Sequence, residues 1–278
     1  MTHSSFLIPR SSLRLGLIGF GSIGRNLAEA ILEGQAGRCE LAAVLVRSPH
    51  KLDADTRARL GCLVTSDAAD FLATGMDLVV EAAGHDAVKA YGEDVLRQGK
   101  GLLLISVGAL ADAALQLRLE RAAHDFGGRL LLATGAIAGL DAISSAAIGG
   151  LDAVTHSIRK PPRGLLPPDE AAEVERSGQP RELYSGPARE AVIRFPENVN
   201  VAAAVSLAGL GLDRTIVRVV ADPSVVRNTH EVEARGAFGE LRVLLQNIPS
   251  DNPKTGRLTA MSMIKALRNL TAPVVVGV

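Results

Sequence analysis

The chain has 278 residues, with 30 Lys+Arg balanced by 30 Asp+Glu for a formal net charge of zero, and 47% of its residues are hydrophobic. That length can bury a sizeable core and suits two lobes better than one, and the even charge offers no basic excess for nucleic acid or an anionic membrane surface. Cys39 and Cys62 are too few for a disulfide framework or a thiolate metal centre, so no metal is expected.

Near the N-terminus, Phe6-Leu7-Ile8 is too short for a signal-peptide core, and no later apolar run reaches membrane-spanning length. A cytoplasmic protein is expected. The apolar run Leu13 to Ile18 then leads into Gly19-Phe20-Gly21-Ser22-Ile23-Gly24, followed by a helical pattern through Leu27, Ala30 and Ile31. Strand, glycine turn and helix start in that order predict a dinucleotide-binding turn. Gly19 permits the turn, Gly21 lets a pyrophosphate approach the backbone, and Gly24 allows helix and strand to pack closely. Ser22 and Ile23 open the helix, whose N–H groups and dipole favour phosphate.

Glu40 to Val46 reads as a second buried strand. Where this fold often places an acidic residue on the adenosine ribose, the chain has Arg47-Ser48-Pro49-His50-Lys51, with Asp53 and Asp55 further on. Arg47 reads equally as a solvated strand-end charge or a contact to a 2′-phosphate, so either NAD or NADP is expected as cofactor. Strands at Asp77 to Ala83, Gly101 to Val107 and Arg129 to Thr134 alternate with helices at Asp86 to Gln98 and Asp112 to Phe126. Uninterrupted apolar strands spaced by helices predict a parallel sheet covered on both faces, with the ligand at the carboxyl ends of the strands. Residues 19–24, 82–85, 106–110 and 135–138 share that edge, which adds Ala83 and Gly84 to the candidate cofactor residues. His85 is a polar group on the same edge, although a solvated histidine at a helix start is the commoner case.

The character changes near Ile137. Ile137 to Gly150 reads as helix, Ala153 to Arg159 as strand, and Arg163 to Gln179 as loop with one short helix. Helical segments at Glu190 to Phe195 and Asn200 to Leu210 precede strands at Thr215 to Val220, Glu231 to Arg235 and Leu241 to Leu245, whose alternation predicts a half-exposed antiparallel sheet. After the loop Pro249 to Gly256, an amphipathic helix from Leu258 to Leu270 is expected to return to the first lobe, with a short strand at Ala272 to Val276. The expected division is a cofactor domain over 1–136, completed by 255–278, and a substrate and dimerisation domain over 137–254. Polar candidates in the second lobe are Asn198-Val199-Asn200 and Asn228-Thr229-His230. Read alone, Asn200 is a helix cap and His230 is more often structural than catalytic.

Taken together, several segments resemble the L-aspartate dehydrogenase family. They are Gly19-Phe20-Gly21-Ser22-Ile23-Gly24, Val80-Glu81-Ala82-Ala83-Gly84, Ser106-Val107-Gly108-Ala109-Leu110, Thr134-Gly135-Ala136-Ile137, Arg159-Lys160-Pro161-Pro162, Phe195-Pro196-Glu197-Asn198-Val199-Asn200-Val201-Ala202-Ala203 and Asn228-Thr229-His230-Glu231-Val232. The resemblance implies a Rossmann-type doubly wound α/β domain plus a second α/β domain carrying substrate contacts and a dimer interface. It implies NAD(P)-dependent oxidation of L-aspartate to iminoaspartate, which can feed NAD biosynthesis or hydrolyse to oxaloacetate and ammonia. It places His230 at the catalytic histidine and Ala136 and Asn200 at cofactor positions. The two substrate carboxylates need cations, for which Arg159, Lys160 and Arg163 are the nearby choices, although each is by default a solvated loop charge; Lys160 and Asn198 are the substrate candidates. An imine reductase of the dihydrodipicolinate reductase type and a non-catalytic dinucleotide-sensing dimer are the alternatives.

Overall fold

The computed structural model describes residues 12–195, 200–248 and 256–277. It divides into two compact units, Met1–Ala133 with Ala260–Val278, and Thr134–Thr259.

In the first unit, β1 (Leu13–Ile18), α1 (Ser22–Leu32), β2 (Cys39–Leu45), α2 (Ala54–Leu60), β3 (Leu63–Thr65), α3 (Ala68–Ala73), β4 (Leu78–Glu81), α4 (His85–Arg97), β5 (Gly101–Leu104), α5 (Ala113–Phe126) and β6 (Arg129–Leu132) follow one another along the chain. The strands form one parallel sheet in the order β3-β2-β1-β4-β5-β6. This is the doubly wound dinucleotide-binding order, in which the sense of strand addition across the sheet reverses between β1 and β4. All four residues of β4 are buried, as expected of a strand covered on both faces. Because the strands are parallel, the loops after β1, β4 and β5 emerge on one edge and bring Gly21, Gly84 and Gly108 to the same side.

Asp53 accepts from Thr56 N, Asp67 from Ala69 N and Asp70 N, and Asp112 from Ala114 N and Leu115 N. These carboxylates satisfy helix N–H groups that would otherwise be unpaired. The elements α2, β3 and α3 went unread in the sequence, since β3 is only three residues long and offers no period to detect.

The second unit contains α6 (Leu140–Gly149), β7 (Leu151–Lys160), α7 (Pro168–Ser177), β8 (Arg181–Pro187), α8 (Ala188–Arg194), α9 (Asn200–Ala208), β9 (Ile216–Ala221), β10 (Asn228–Gly236) and β11 (Gly239–Asn247). Its five-stranded sheet runs β11-β10-β7-β9-β8. The sheet is mixed, not purely antiparallel as its alternation suggested: β7 and β9 pair in parallel, joined by a crossover long enough to hold three helices and β8. The strand β8 went unpredicted because Gly186 and Pro187 break its pattern. Those residues are tolerated at an edge, which is where β8 lies. Ile137, Ile143, Val154, Val205, Val232 and Ala234 form this unit's core.

The chain ends with α10 (Arg257–Thr271), whose Met263 and Leu267 are fully buried in the first unit's core with Leu15, Leu27, Val44 and Leu103. Residues 272–276 are not a strand as expected; they pair with no sheet, and Val274 and Val276 are exposed. Among the described residues no helix is long and apolar enough to cross a membrane.

Candidate active site

In the first unit, backbone shape dominates the candidate cofactor rim. Gly19 has φ of +96°, and a Cβ there would lie 2.7 Å from the Ala83 Cβ and 2.8 Å from the Ala82 carbonyl oxygen. The turn after β1 is therefore pressed against the loop after β4, a fit only glycine allows. Gly24 is buried, and a Cβ on it would run into the Gly19 carbonyl. Gly21, by contrast, caps α1 and has open space where a Cβ would stand. Ser22 and Ile23 begin a helix with no side-chain cap and no acidic residue in its first turn. Open space, uncapped N–H groups and a positive dipole end suit a pyrophosphate, so these residues fit a dinucleotide. Gly84 caps α4 at φ of +120°, also beside open space. Arg47 is exposed just past β2, and the acidic residue that follows, Asp53, is occupied as the cap of α2.

Beneath this rim lies a residue that sequence reasoning gave no role. Glu81, at the end of β4, is 1% exposed. Its Oε1 accepts from Ala83 N and Gly84 N at 2.7 Å each and from Ser106 Oγ at 3.0 Å, and its Oε2 accepts from Ser106 N at 3.1 Å. One carboxylate thus ties the loop after β4 to the loop after β5. Burial pushes its pKa above the usual carboxylate range, while the four donors work against that rise. The available signal was a lone acidic residue closing an apolar strand.

In the second unit, Asn247 Nδ2 donates to the Ala136 carbonyl at 3.0 Å, and both residues are buried. A Cβ on neighbouring Gly135 would lie 3.9 Å from Val201 Cγ2, so the loop carrying Ala136 rests beside the start of α9, which Asn200 opens. Asn198 lies outside the described residues.

His230 is 5% exposed and stands on the inward face of β10 with Val232 and Ala234. Ile158 of β7 is directly opposite it, and the register sets His156 and Lys160 diagonally on either side. His156 Nε2 and His230 Nδ1 are hydrogen-bonded at 3.1 Å, with the rings stacked 5.3 Å apart. Burial, reinforced by the Lys160 charge, brings the His230 pKa down to about 4. Burial, with the neighbouring imidazole, holds His156 well below its ordinary value, and burial lowers Lys160 to about 8. At neutral pH both imidazoles are uncharged.

Lys160 therefore shares a face with His230, but the other two cations do not join them. Arg159 points to the opposite face and pairs with buried Asp222 at 2.7 Å, and Arg163 is bound by both oxygens of Glu175 at 2.9 and 3.1 Å.

Comparison with known proteins matches residues 141–270 to the family model "Aspartate dehydrogenase, C-terminal" and residues 19–133 to "Homoserine dehydrogenase, NAD binding domain". The L-aspartate dehydrogenase of Methanosarcina barkeri is 41% identical over 270 residues, covering 95% of this chain and 99% of that one. L-aspartate dehydrogenase 3 of Bordetella bronchiseptica is 42% identical, covering 96% and 98%. The crystal structure of aspartate dehydrogenase from Thermotoga maritima superposes with a TM-score of 0.75 at 26% identity, covering 95% and 99%.

Proposed function

The chain belongs to the L-aspartate dehydrogenase family, and from that membership we propose how its residues serve the NAD(P)-dependent oxidation of L-aspartate to iminoaspartate. The first unit holds the cofactor: Gly19, Gly21, Ser22, Ile23 and Gly24 at the pyrophosphate, Ala83 and Gly84 on the adjoining rim, and Arg47 at a 2′-phosphate when NADP is used. In the second unit, Ala136 and Asn200 are the cofactor residues. When bound, the nicotinamide supplies the carbon that accepts hydride from the substrate α-carbon.

The chain itself must position that carbon and manage protons. Aspartate carries its α-nitrogen as an ammonium, which must lose a proton before the carbon–nitrogen bond can become double. His230 takes that proton. The carrying observation is geometric: His230 lies on the inward face of β10, its Nδ1 is engaged by His156, and Lys160 stands on the same face. Lys160 faces a substrate carboxylate, with Asn198 as a second substrate contact. Iminoaspartate is then released to NAD biosynthesis or hydrolysed to oxaloacetate and ammonia.

We place the protein in the cytoplasm, in keeping with two free cysteines. It assembles as a homodimer through the second unit, where Leu244 on edge strand β11 is 60% exposed. Sedimentation at micromolar concentration tests the dimer. For the proton role, His230→Ala should lower turnover by roughly a hundredfold to ten-thousandfold while NAD(P) binding changes little. Near-normal turnover with only a lowered melting temperature would make His230 structural.

A further inference from the structure

His156 occupies a place on β7 where the pattern calls for an apolar residue. Its inward neighbours along the strand are Val154 and Ile158, and it is 0% exposed. An imidazole buried among aliphatic groups is costly unless its nitrogens are satisfied. Only one of them is: Nε2 meets His230 Nδ1 at 3.1 Å, and Nδ1 has no hydrogen-bond partner among the described residues. The side chain's one polar contact is thus with the proton-handling histidine, and buried polar groups with an unmet partner call for a functional reason.

The contact has two chemical consequences. With Nδ1 of His230 occupied, Nε2 is the nitrogen left for substrate. Once His230 is charged, both its nitrogens carry hydrogen, and Nδ1–H needs an acceptor, which an imidazole can be only while it is itself uncharged. His156 meets that need, since burial keeps it neutral.

We propose that His156 is a positioning residue for aspartate oxidation: it holds the His230 ring by Nδ1, turns Nε2 toward the substrate, and accepts the Nδ1 hydrogen while His230 is charged. The proposal rests on the reading of His230 as the proton acceptor.

Among the described residues, the other groups around His230 leave this role to His156. On β10, Glu231 and Glu233 face outward, and Glu231 pairs with Arg242. On β7, Lys160 is the other ionisable group on the inward face, and Arg159 faces away toward Asp222. β11 sets Leu245 opposite His230. α9 carries no ionisable residue, and the one in α6, Asp141, is exposed.

The test compares His156→Leu, His156→Gln and His230→Asn in the full chain, measuring kcat against pH, NADH dissociation constant and melting temperature. His156→Leu should lower kcat by roughly tenfold to a hundredfold, a part of the base's own contribution, and move the acid limb to lower pH. NADH affinity should hold. His156→Gln, whose amide reaches the position of Nε2, should restore most of the rate and the limb. A Leu variant with unchanged kcat and acid limb, beside an inactive His230→Asn, overturns the positioning role and leaves the base intact. An active His230→Asn instead overturns the base, and the positioning role falls with it. If the Leu variant does not fold, nitrogen NMR of the wild-type imidazoles decides: one N–H shared between two ring nitrogens is expected, and two separate, uncoupled rings refute the pairing.

Discussion

Replacing Glu81 with Gln probes how the cofactor rim is held. The amide keeps one oxygen, which can still accept from Ala83 N, Gly84 N and Ser106 Oγ. The other position becomes an NH2 group facing Ser106 N at 3.1 Å, donor against donor. Losing a hydrogen bond to a charged group costs about 1.5–3 kcal/mol, and an unsatisfied buried N–H costs about 1–3 kcal/mol. The two overlap, and Gln also removes the cost of burying a charge, so a net loss of about 1–3 kcal/mol is expected. For a domain of this size that lowers the melting temperature by roughly 3–10 °C. Because Glu81 anchors both loops, NAD affinity should weaken with it. The pH dependence gives a second readout. A carboxyl whose folded pKa is raised binds its proton more tightly when folded, so its contribution to stability falls as pH rises from the unfolded carboxylate range through that raised pKa. The Gln variant should lack this slope. Calorimetry and cofactor titration on one preparation check the reasoning; an unchanged melting temperature with unchanged NAD affinity would show that Glu81 does not hold the rim together.

The histidine pair predicts an opposite pH trend. Both imidazoles have folded pKa values below the ordinary 6.5, so below that pH the unfolded chain takes up protons the fold refuses. Stability should fall as pH drops from 6.5 toward 4, by up to about 1.4 kcal/mol per pH unit for each histidine. Urea unfolding across that window measures it, and His156→Leu should about halve the slope. Arg47→Asp should weaken NADP much more than NAD; equal losses would make Arg47 a surface charge. Gly19→Ala puts a Cβ at 2.7–2.9 Å from three atoms of Ala82 and Ala83 at a positive φ, so a loss of about 2–4 kcal/mol and of cofactor binding is expected by thermal melt and titration. A variant with wild-type stability would mean the β1 turn can shift freely.

The sequence alone determined what depends on neighbours along the chain. Apolar runs broken by glycine and followed by helical periods are local signals, and they suffice for the parallel sheet, the tight turn at Gly19 and the close packing at Gly24. Family resemblance then pointed to His230. Only the tertiary structure decided which side chains meet. Glu81 finds Ser106 25 residues away, Arg159 is taken by Asp222 63 residues away, and His156 reaches His230 across 74 residues. No periodicity encodes such pairings, because they follow from strand register: a shift of one residue between β7 and β10 would turn His156 and Lys160 away from His230. The same holds for β8, whose residues form a strand because β9 offers an open edge to pair with.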